Sequence, residues 1–329
     1  MTVIYNFEKL NFSGISYGGH GGSKRGVIID NEKWFLKYPK STKSMKNVEL
    51  SYNTAPISEY IGSKIYSDIG IETHDTKLGY ANEKIVVACR DFLNNSEVII
   101  DYNMIKNEYD ENVEKSVLSL NSSSDNSNND IEEVFVMMEN NPYFKSIPEL
   151  KTRFWDMFVV DAFIGNNDRN EGNWGLVLDK ETNKLRIAPV FDNGAAFYNK
   201  ATDDKLLNIY ENEFKFNQSV YESAISVYRQ NGIPINPLKY IKRMDNMECN
   251  KAILRIIPKI NMENIKNIIN KIPSEFNGIE VVSNVKKDFY IKSLQYKYDN
   301  VLLPVYNKLL EKNNGPITGP ITGPINYEV

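Results

Sequence analysis

Cysteine is nearly absent from this 329-residue chain, Cys89 and Cys249 being the only two. Two thiols cannot build a disulfide framework, and without any CxxC or Cys/His cluster a structural zinc module is excluded. A reducing compartment, or indifference to redox, follows. A basic excess is missing too: the formal net charge is -4 and the pI is near 5.5, which argues against nucleic-acid binding as the main task. No apolar run reaches the length of a membrane span. Residues 1–14 lack a basic stretch followed by a long apolar one, so no secretory signal is expected. The expectation is a soluble protein, long enough for one large domain or for two lobes sharing a cleft. The two-lobed organisation is preferred.

From residue 3 to about residue 93, short β-rich runs at 26–29, 33–38 and 84–89 alternate with glycines and predict a small β lobe over 1–93. One helix is predicted inside it, over 58–69, where Ile61, Ile65 and Ile69 fall four residues apart on one face. Beyond it helical spacing dominates, at 149–164, 218–230, 237–246, 262–271 and 288–310. The predicted class is therefore α+β, with a β-rich N-terminal lobe and a large, mostly helical lobe over 94–312. The polar stretch 119–130 has almost nothing to bury and is expected to be a mobile insertion, dispensable to the core. The ending GPITGPITGPIN defeats helix and sheet alike, so 313–329 is expected to be a flexible tail.

The most informative segment is Ile164-Gly-Asn-Asn-Asp-Arg-Asn-Glu-Gly-Asn-Trp-Gly, between a predicted apolar helix and a predicted hairpin at 176–178 and 185–188. Asp168 lies on a polar turn and Asn173 five positions later. One loop can then offer a carboxylate to a substrate hydroxyl and an amide oxygen to a metal. After the hairpin, Val190-Phe-Asp-Asn-Gly is expected to bring Asp192 out of a buried strand, with Gly194 providing a sharp turn. Phosphoryl transfer needs little covalent help from protein. A carboxylate that holds Mg²⁺ against the phosphates of ATP, and another that orients the nucleophile, supply most of the chemistry. Each motif alone would often be a plain hydrophilic turn; their spacing and order carry the reading.

Upstream, residues 16–26 are rich in glycine and lie between two predicted strands, which lets backbone amides approach phosphates. Nothing there matches a Walker loop. Gly18, Gly19, His20, Gly21, Gly22 and Ser23 are the candidate phosphate contacts. The next strand places Lys37 inside the apolar run Trp34-Phe-Leu-Lys-Tyr, where an unpaired ammonium would be costly to bury. Phosphate oxygens and the carboxylate of Glu59 are its candidate partners, provided that the 58–69 helix packs on the small sheet. The plain alternative is an edge-strand lysine and a surface glutamate. Ala88, Cys89, Arg90 and Asp91 form the expected hinge, whose backbone would hydrogen-bond adenine, although Arg90 and Asp91 serve equally as linker residues. His74 reads as an ordinary loop residue before a strand.

Taken in this order, the glycine-rich loop, Lys37, the Asp168-x4-Asn173 loop and Asp192 resemble the HipA-like serine/threonine kinases over most of the chain. The resemblance implies a protein-kinase-like bilobal fold, with Asp168 as catalytic base, Asn173 and Asp192 as Mg²⁺ ligands, and Lys37 on the nucleotide phosphates. Ser16 lies near the glycine-loop serine that some relatives autophosphorylate. Relatives often carry histidine after the catalytic aspartate, where this chain has Arg169 and Asn170. The resemblance further implies a protein substrate, a DNA-binding antitoxin as partner, and a place in the bacterial cytoplasm or, by export without a cleavable signal, in a host cell.

A second resemblance, of Asn167 to Trp174 and of Asp192-Asn-Gly-Ala-Ala-Phe to phosphatidylinositol 4-kinases, implies a lipid acceptor. The mixed charge of residues 198–216, with Asp203, Asp204, Glu211 and Glu213 among the lysines, favours a protein acceptor instead. A nucleotide-binding pseudokinase acting as an interaction module is the non-enzymatic alternative. The complete set of acidic and lysine positions argues against it.

Overall fold

Alternation in the run Ile85-Val86-Val87-Ala88-Cys89 organises the small lobe, because a strand buried on both faces sends successive side chains to opposite cores. The computed structural model describes residues 1–11, 13–15, 24–46, 50–112 and 129–314. Ser16, the candidate phosphate contacts Gly18, Gly19, His20, Gly21, Gly22 and Ser23, residues 119–128 and the ending from Gly315 lie outside the described residues. Strands β1 (Tyr5–Asn6), β2 (Lys24–Ile29), β3 (Glu32–Lys37), β4 (Thr76–Ala81) and β5 (Lys84–Arg90) form one sheet, ordered β1-β4-β5-β3-β2. All pairs are antiparallel except β1 with β4.

On one face of this sheet Phe35, Leu78, Ile85, Val87 and Cys89 share a core with Ile57, Ile61 and Ile65 of helix α1 (Ala55–Asp68). Val27, Trp34, Leu36, Val86 and Ala88 form a second core on the other face. Lys37 stands opposite Val87 in the ladder, so the same alternation turns its side chain toward α1. The helix begins three residues before its predicted start, with Pro56 in its first turn, where a missing N–H costs nothing.

The large lobe opens with β6 (Glu97–Asp101), α2 (Tyr102–Asn112), β7 (Asn129–Asp130), α3 (Ile131–Asn140), α4 (Pro142–Lys145) and α5 (Glu149–Ile164). A hairpin follows, β8 (Gly175–Asp179) and β9 (Lys184–Ile187), which β6 extends to three strands. The remainder is mainly helical: α6 (Asp203–Tyr210), α7 (Glu213–Asn217), α8 (Pro237–Arg243), α9 (Met247–Ile256), α10 (Met262–Asn270), α11 (Asn284–Lys297) and α12 (Leu303–Asn314). Helix α5 is the axis of this lobe. It buries Phe154, Trp155, Phe158 and Phe163 completely, as expected of a helix that is apolar on most of its circumference.

Glycine ends α5 where the loop carrying Asp168 begins. Gly165 adopts φ 72, and a Cβ there would also lie 3.1 Å from Nζ of Lys297. The Lys297 side chain donates to the carbonyl of Phe163 at 3.0 Å, so a buried lysine from α11 caps the helix.

Three segments depart from expectation. The predicted helix at 218–230 is a π-helical turn, Gln218–Glu222, followed by strand β10 (Tyr228–Gln230). Asn231 and Gly232, with φ of 52 and 75, close a hairpin onto β11 (Ile233–Pro234). The Asn-Gly turn outweighs the helical spacing before it. The predicted helix at 288–310 starts earlier, under a Ser283 cap, and passes through a π-helical turn, Tyr298–Leu302, just before Pro304; such a turn accommodates a residue without an N–H. The end of the polar stretch 119–130 belongs to the core after all. Asn129 is fully buried, donates to the carbonyl of Arg169, and accepts from Nε1 of Trp174 at 3.1 Å.

Burial pushes the Lys297 ammonium down to about 7. Between that value and the ordinary lysine range the unfolded chain binds more protons than the folded one, so stability should rise with pH across this window and be insensitive to this group below it. Urea midpoints at about pH 7 and about pH 9.5 should show that rise in the wild type, and Lys297→Met should remove it.

Candidate active site

Two carboxylates from different lobes converge on one ammonium. Nζ of Lys37 lies 2.9 Å from Oε2 of Glu59 on α1 and donates to Oδ1 of Asp192. Lys24 adds a second cation, 3.6 Å from Oδ2 of Asp192. The surface alternative for Lys37 and Glu59 fails, because Glu59 is 1% exposed and the Lys37 side chain 13%. Burial opposes the charge of all three groups, and the ion pairs outweigh it. Lys37 is held above the usual lysine range by Asp192 and Glu59. Glu59 is lowered to about 2 by Lys37 and His74, and Asp192 falls below the usual carboxylate range beside Lys37 and Lys24.

Asp192 reaches this cluster differently from expectation. Val190 is not in a strand; it makes a single parallel bridge to Thr73. The sharp turn is made by Asp192 itself, with φ 58, a left-handed conformation that aspartate tolerates better than most residues. Gly194 serves close approach instead, since a Cβ there would sit 3.2 Å from Oε2 of Glu59. Gly62 does the same from the helix side, where a Cβ would meet that of Asn193 at 2.9 Å. These two glycines let α1 lie directly on the Asp192 turn.

The loop after α5 presents Asp168 to solvent while its neighbour turns inward. Asp168 accepts from Nδ2 of Asn170 at 3.1 Å, and its carbonyl accepts from Nδ2 of Asn173 at 2.6 Å. Partial desolvation raises the pKa of Asp168, and the charge of Asp192 adds to the rise against the Asn170 bond and Lys40. Arg169 is completely buried. Its Nε lies 2.9 Å from Oδ2 of Asp161 and its Nη2 3.1 Å from Oδ1. The same guanidinium donates to Oδ1 of Asn193 at 2.6 Å, to the carbonyl of Asn173 at 3.1 Å and to the carbonyl of Phe191. Asp161 also accepts from the hydroxyl of Tyr66 at 2.8 Å and from Nδ2 of Asn166 at 3.0 Å. One side chain thus joins the Asp168–Asn173 loop to the residues on either side of Asp192.

Sequence reasoning registered Arg169 only as a departure from a family pattern. The signal was Asp161 inside Phe158-Val-Val-Asp-Ala-Phe-Ile, a carboxylate in an apolar helix that needs a buried cation. His74 was missed as well: it is buried, and its Nε2 lies 2.8 Å from Oε1 of Glu59. The expected hinge residues stand at the end of the sheet. Ala88, Cys89 and Arg90 lie within β5, and the amides of Arg90 and Asp91 donate to the carbonyls of Asp75 and Lys33. The chain therefore leaves the sheet only after Arg90. The side chain of Cys89 faces Glu59 and that of Ala88 the opposite core.

No protein-family model matches the chain. It is 30% identical, over 311 residues that cover 94% of its length and 89% of the relative's, to the serine/threonine-protein kinase CtkA of Helicobacter pylori strain J99. The chain belongs to the CtkA-related serine/threonine kinases. The crystal structure of the H. pylori proinflammatory kinase CtkA matches this kinase with a TM-score of 0.80 and 28% identity, over 95% of this chain and 99% of the other. HipA of Shewanella oneidensis MR-1, solved with HipB and operator DNA, shares the fold at a TM-score of 0.51 and 11% identity, over 91% of the kinase and 70% of HipA. The expected bilobal α+β fold and the protein-kinase activity stand, and the lipid-kinase and pseudokinase alternatives give way. As a kinase the protein uses ATP and a divalent metal. Among the described residues, no helix is long and apolar enough to cross a membrane.

Replacing Arg169 by Ala strands the carboxylate of Asp161 in the core, and loss of one partner of a buried pair costs about 3–5 kcal/mol. Urea denaturation of Arg169→Ala should show a loss of that order. Arg169→Lys should fold better yet lower kcat, because an ammonium cannot reach all four acceptor residues at once.

Proposed function

We propose that the kinase transfers the γ-phosphate of Mg²⁺-ATP to a serine or threonine hydroxyl of a protein, with Asp168 orienting that hydroxyl and accepting its proton. The observation that carries the reading is the convergence of Lys37, Glu59 and Asp192, tied through Arg169 to the loop that holds Asp168 and Asn173. Lys37 is the phosphate contact from the small lobe, kept charged and aimed by Glu59. The glycine-rich loop from Ser16 to Gly26 would lie over the phosphates, with Ser16 as the candidate for autophosphorylation.

Asp192 and Asn173 would hold the metal. Their chemistry fits: Asn173 commits its amide nitrogen to the carbonyl of Asp168, which leaves the amide oxygen as the ligand atom, and Asp192, held below the usual carboxylate range, offers an ionised oxygen ligand. When bound, the metal neutralises charge on the phosphates. Asp168 stays separate from that cluster and open to solvent, where an acceptor hydroxyl can approach. Its raised pKa brings it nearer to working pH, which favours proton acceptance. The likeness to HipA carries the fold, and no partner is inferred from it.

Transfer of labelled phosphate from ATP to a generic protein acceptor and to the kinase itself tests the reading. Asp168→Ala should lower kcat by roughly 10²–10⁴-fold, the range of a lost general base, with little change in nucleotide affinity. Asp192→Asn should raise the Mg²⁺ concentration needed for half-maximal transfer and reduce transfer, and chelation by EDTA should abolish transfer in every variant. The acid limb of the wild-type rate should begin above the ordinary aspartate range, because the pKa of Asp168 is raised. Near-normal turnover in Asp168→Ala would overturn its assignment.

A further inference from the structure

We infer that His74 is a positioning residue of this kinase, holding one oxygen of Glu59 so that the other grips Lys37. The inference rests on the reading of Lys37 as the phosphate contact. Glu59 divides its carboxylate between two donors on opposite sides, with Nε2 of His74 2.8 Å from Oε1 and Nζ of Lys37 2.9 Å from Oε2. The His74 side chain is fully enclosed, and its ring meets Phe35 edge-on at 6.3 Å between centroids. Among the described residues Nδ1 has no hydrogen-bond partner. Since Glu59 is ionised, Nε2 is the donor in this contact.

The backbone of His74 gives this contact a second consequence. The amide of Val190 donates to the carbonyl of Glu72 at 2.8 Å, the hydroxyl of Thr73 to the carbonyl of Val190 at 2.7 Å, and the amide of His74 to that same carbonyl at 3.4 Å. Residues 72–74 are therefore stitched to the segment that delivers Asp192 two positions later. Through its side chain His74 holds the glutamate that aims Lys37, and through its backbone it is joined to the approach of Asp192. Without that donor, Oε1 becomes a bare acceptor in the core, competing with Oε2 for the single ammonium.

Cys89 brings its sulfur into the same space. The candidate ligand atoms of Glu59, His74 and Cys89 all lie within 4.8 Å of one another, a donor set that a transition metal accepts. The cation already against Glu59 is the ammonium of Lys37, at 2.9 Å, and positioning is the role this geometry supports.

The test is a double-mutant cycle on the full chain, read as affinity for a non-hydrolysable ATP analogue and as separate kcat and KM values. His74→Ala should weaken nucleotide binding about tenfold, the cost of one hydrogen bond to a charged group. His74→Gln, whose amide N–H can reach the same oxygen, should restore most of that loss. In a Lys37→Ala background, His74→Ala should add no further loss of affinity, because the group it acts through is gone. Additive losses in the double variant, or no rescue by glutamine in a protein that melts like wild type, would overturn the role of His74. Unchanged affinity in Lys37→Ala alone would instead overturn the underlying reading of Lys37. Stoichiometric zinc in the purified kinase, lost on Cys89→Ser, would overturn the positioning role in favour of a metal site.

Discussion

A guanidinium removed from water must find acceptors for five N–H groups and an opposing charge, and Arg169 finds them in three different parts of the chain. Asp161 on α5 supplies the charge, while Asn173, Phe191 and Asn193 supply oxygens from the two loops that face the cleft. Burial works against the charged guanidinium, yet Asp161 holds its pKa above the ordinary range, so the guanidinium stays charged. The relative placement of Asp168, Asn173 and Asp192 depends on this one bidentate contact. Arginine suits the task because its donors are rigidly coplanar, and a flexible ammonium would hold one loop at a time.

The small lobe reaches the same point by close approach. Helix α1 carries Glu59 and rests on the Asp192 turn because glycine stands at both contact positions, Gly62 and Gly194. Ser63 strengthens that seam by accepting from Nδ2 of Asn193 at 3.0 Å. Asn193 thereby touches both lobes, accepting from Arg169 on one side and donating to Ser63 on the other. Movement of α1 against the large lobe would have to break the Asn193 contact and the bond from the Ser58 hydroxyl to the carbonyl of Ala196 together. The position of the helix and the geometry of the site are one variable.

Much of the fold was legible along the chain. The bounds of α5 agree with its apolar spacing, and the hairpin of β8 and β9 and the strands around Lys37 lie where alternation placed them. Segments whose partners are remote were less legible. Beside its hairpin partner, the strand at 228–230 pairs with residues 129–130, and nothing within 218–230 announces that neighbour. Asn129, at the end of a polar stretch, is buried because it closes hydrogen bonds to Arg169 and Trp174. Low hydrophobicity reports that a side chain lacks apolar surface, and says nothing about a polar partner waiting in the core.

By itself the sequence determined the chemistry on offer: a carboxylate and an amide five residues apart after an apolar helix, a second carboxylate beyond a hairpin, and a lysine in an apolar strand with one helix to meet it. Those features are local, and spacing and alternation encode them directly. Only the tertiary structure decided that Arg169 and Asp161 bind the two loops together, that His74 backs Glu59, and that the left-handed turn falls on Asp192 rather than on Gly194. Each of those depends on which distant group fills the space beside a buried charge. The energy of a buried charge is set by neighbours that folding alone brings within reach.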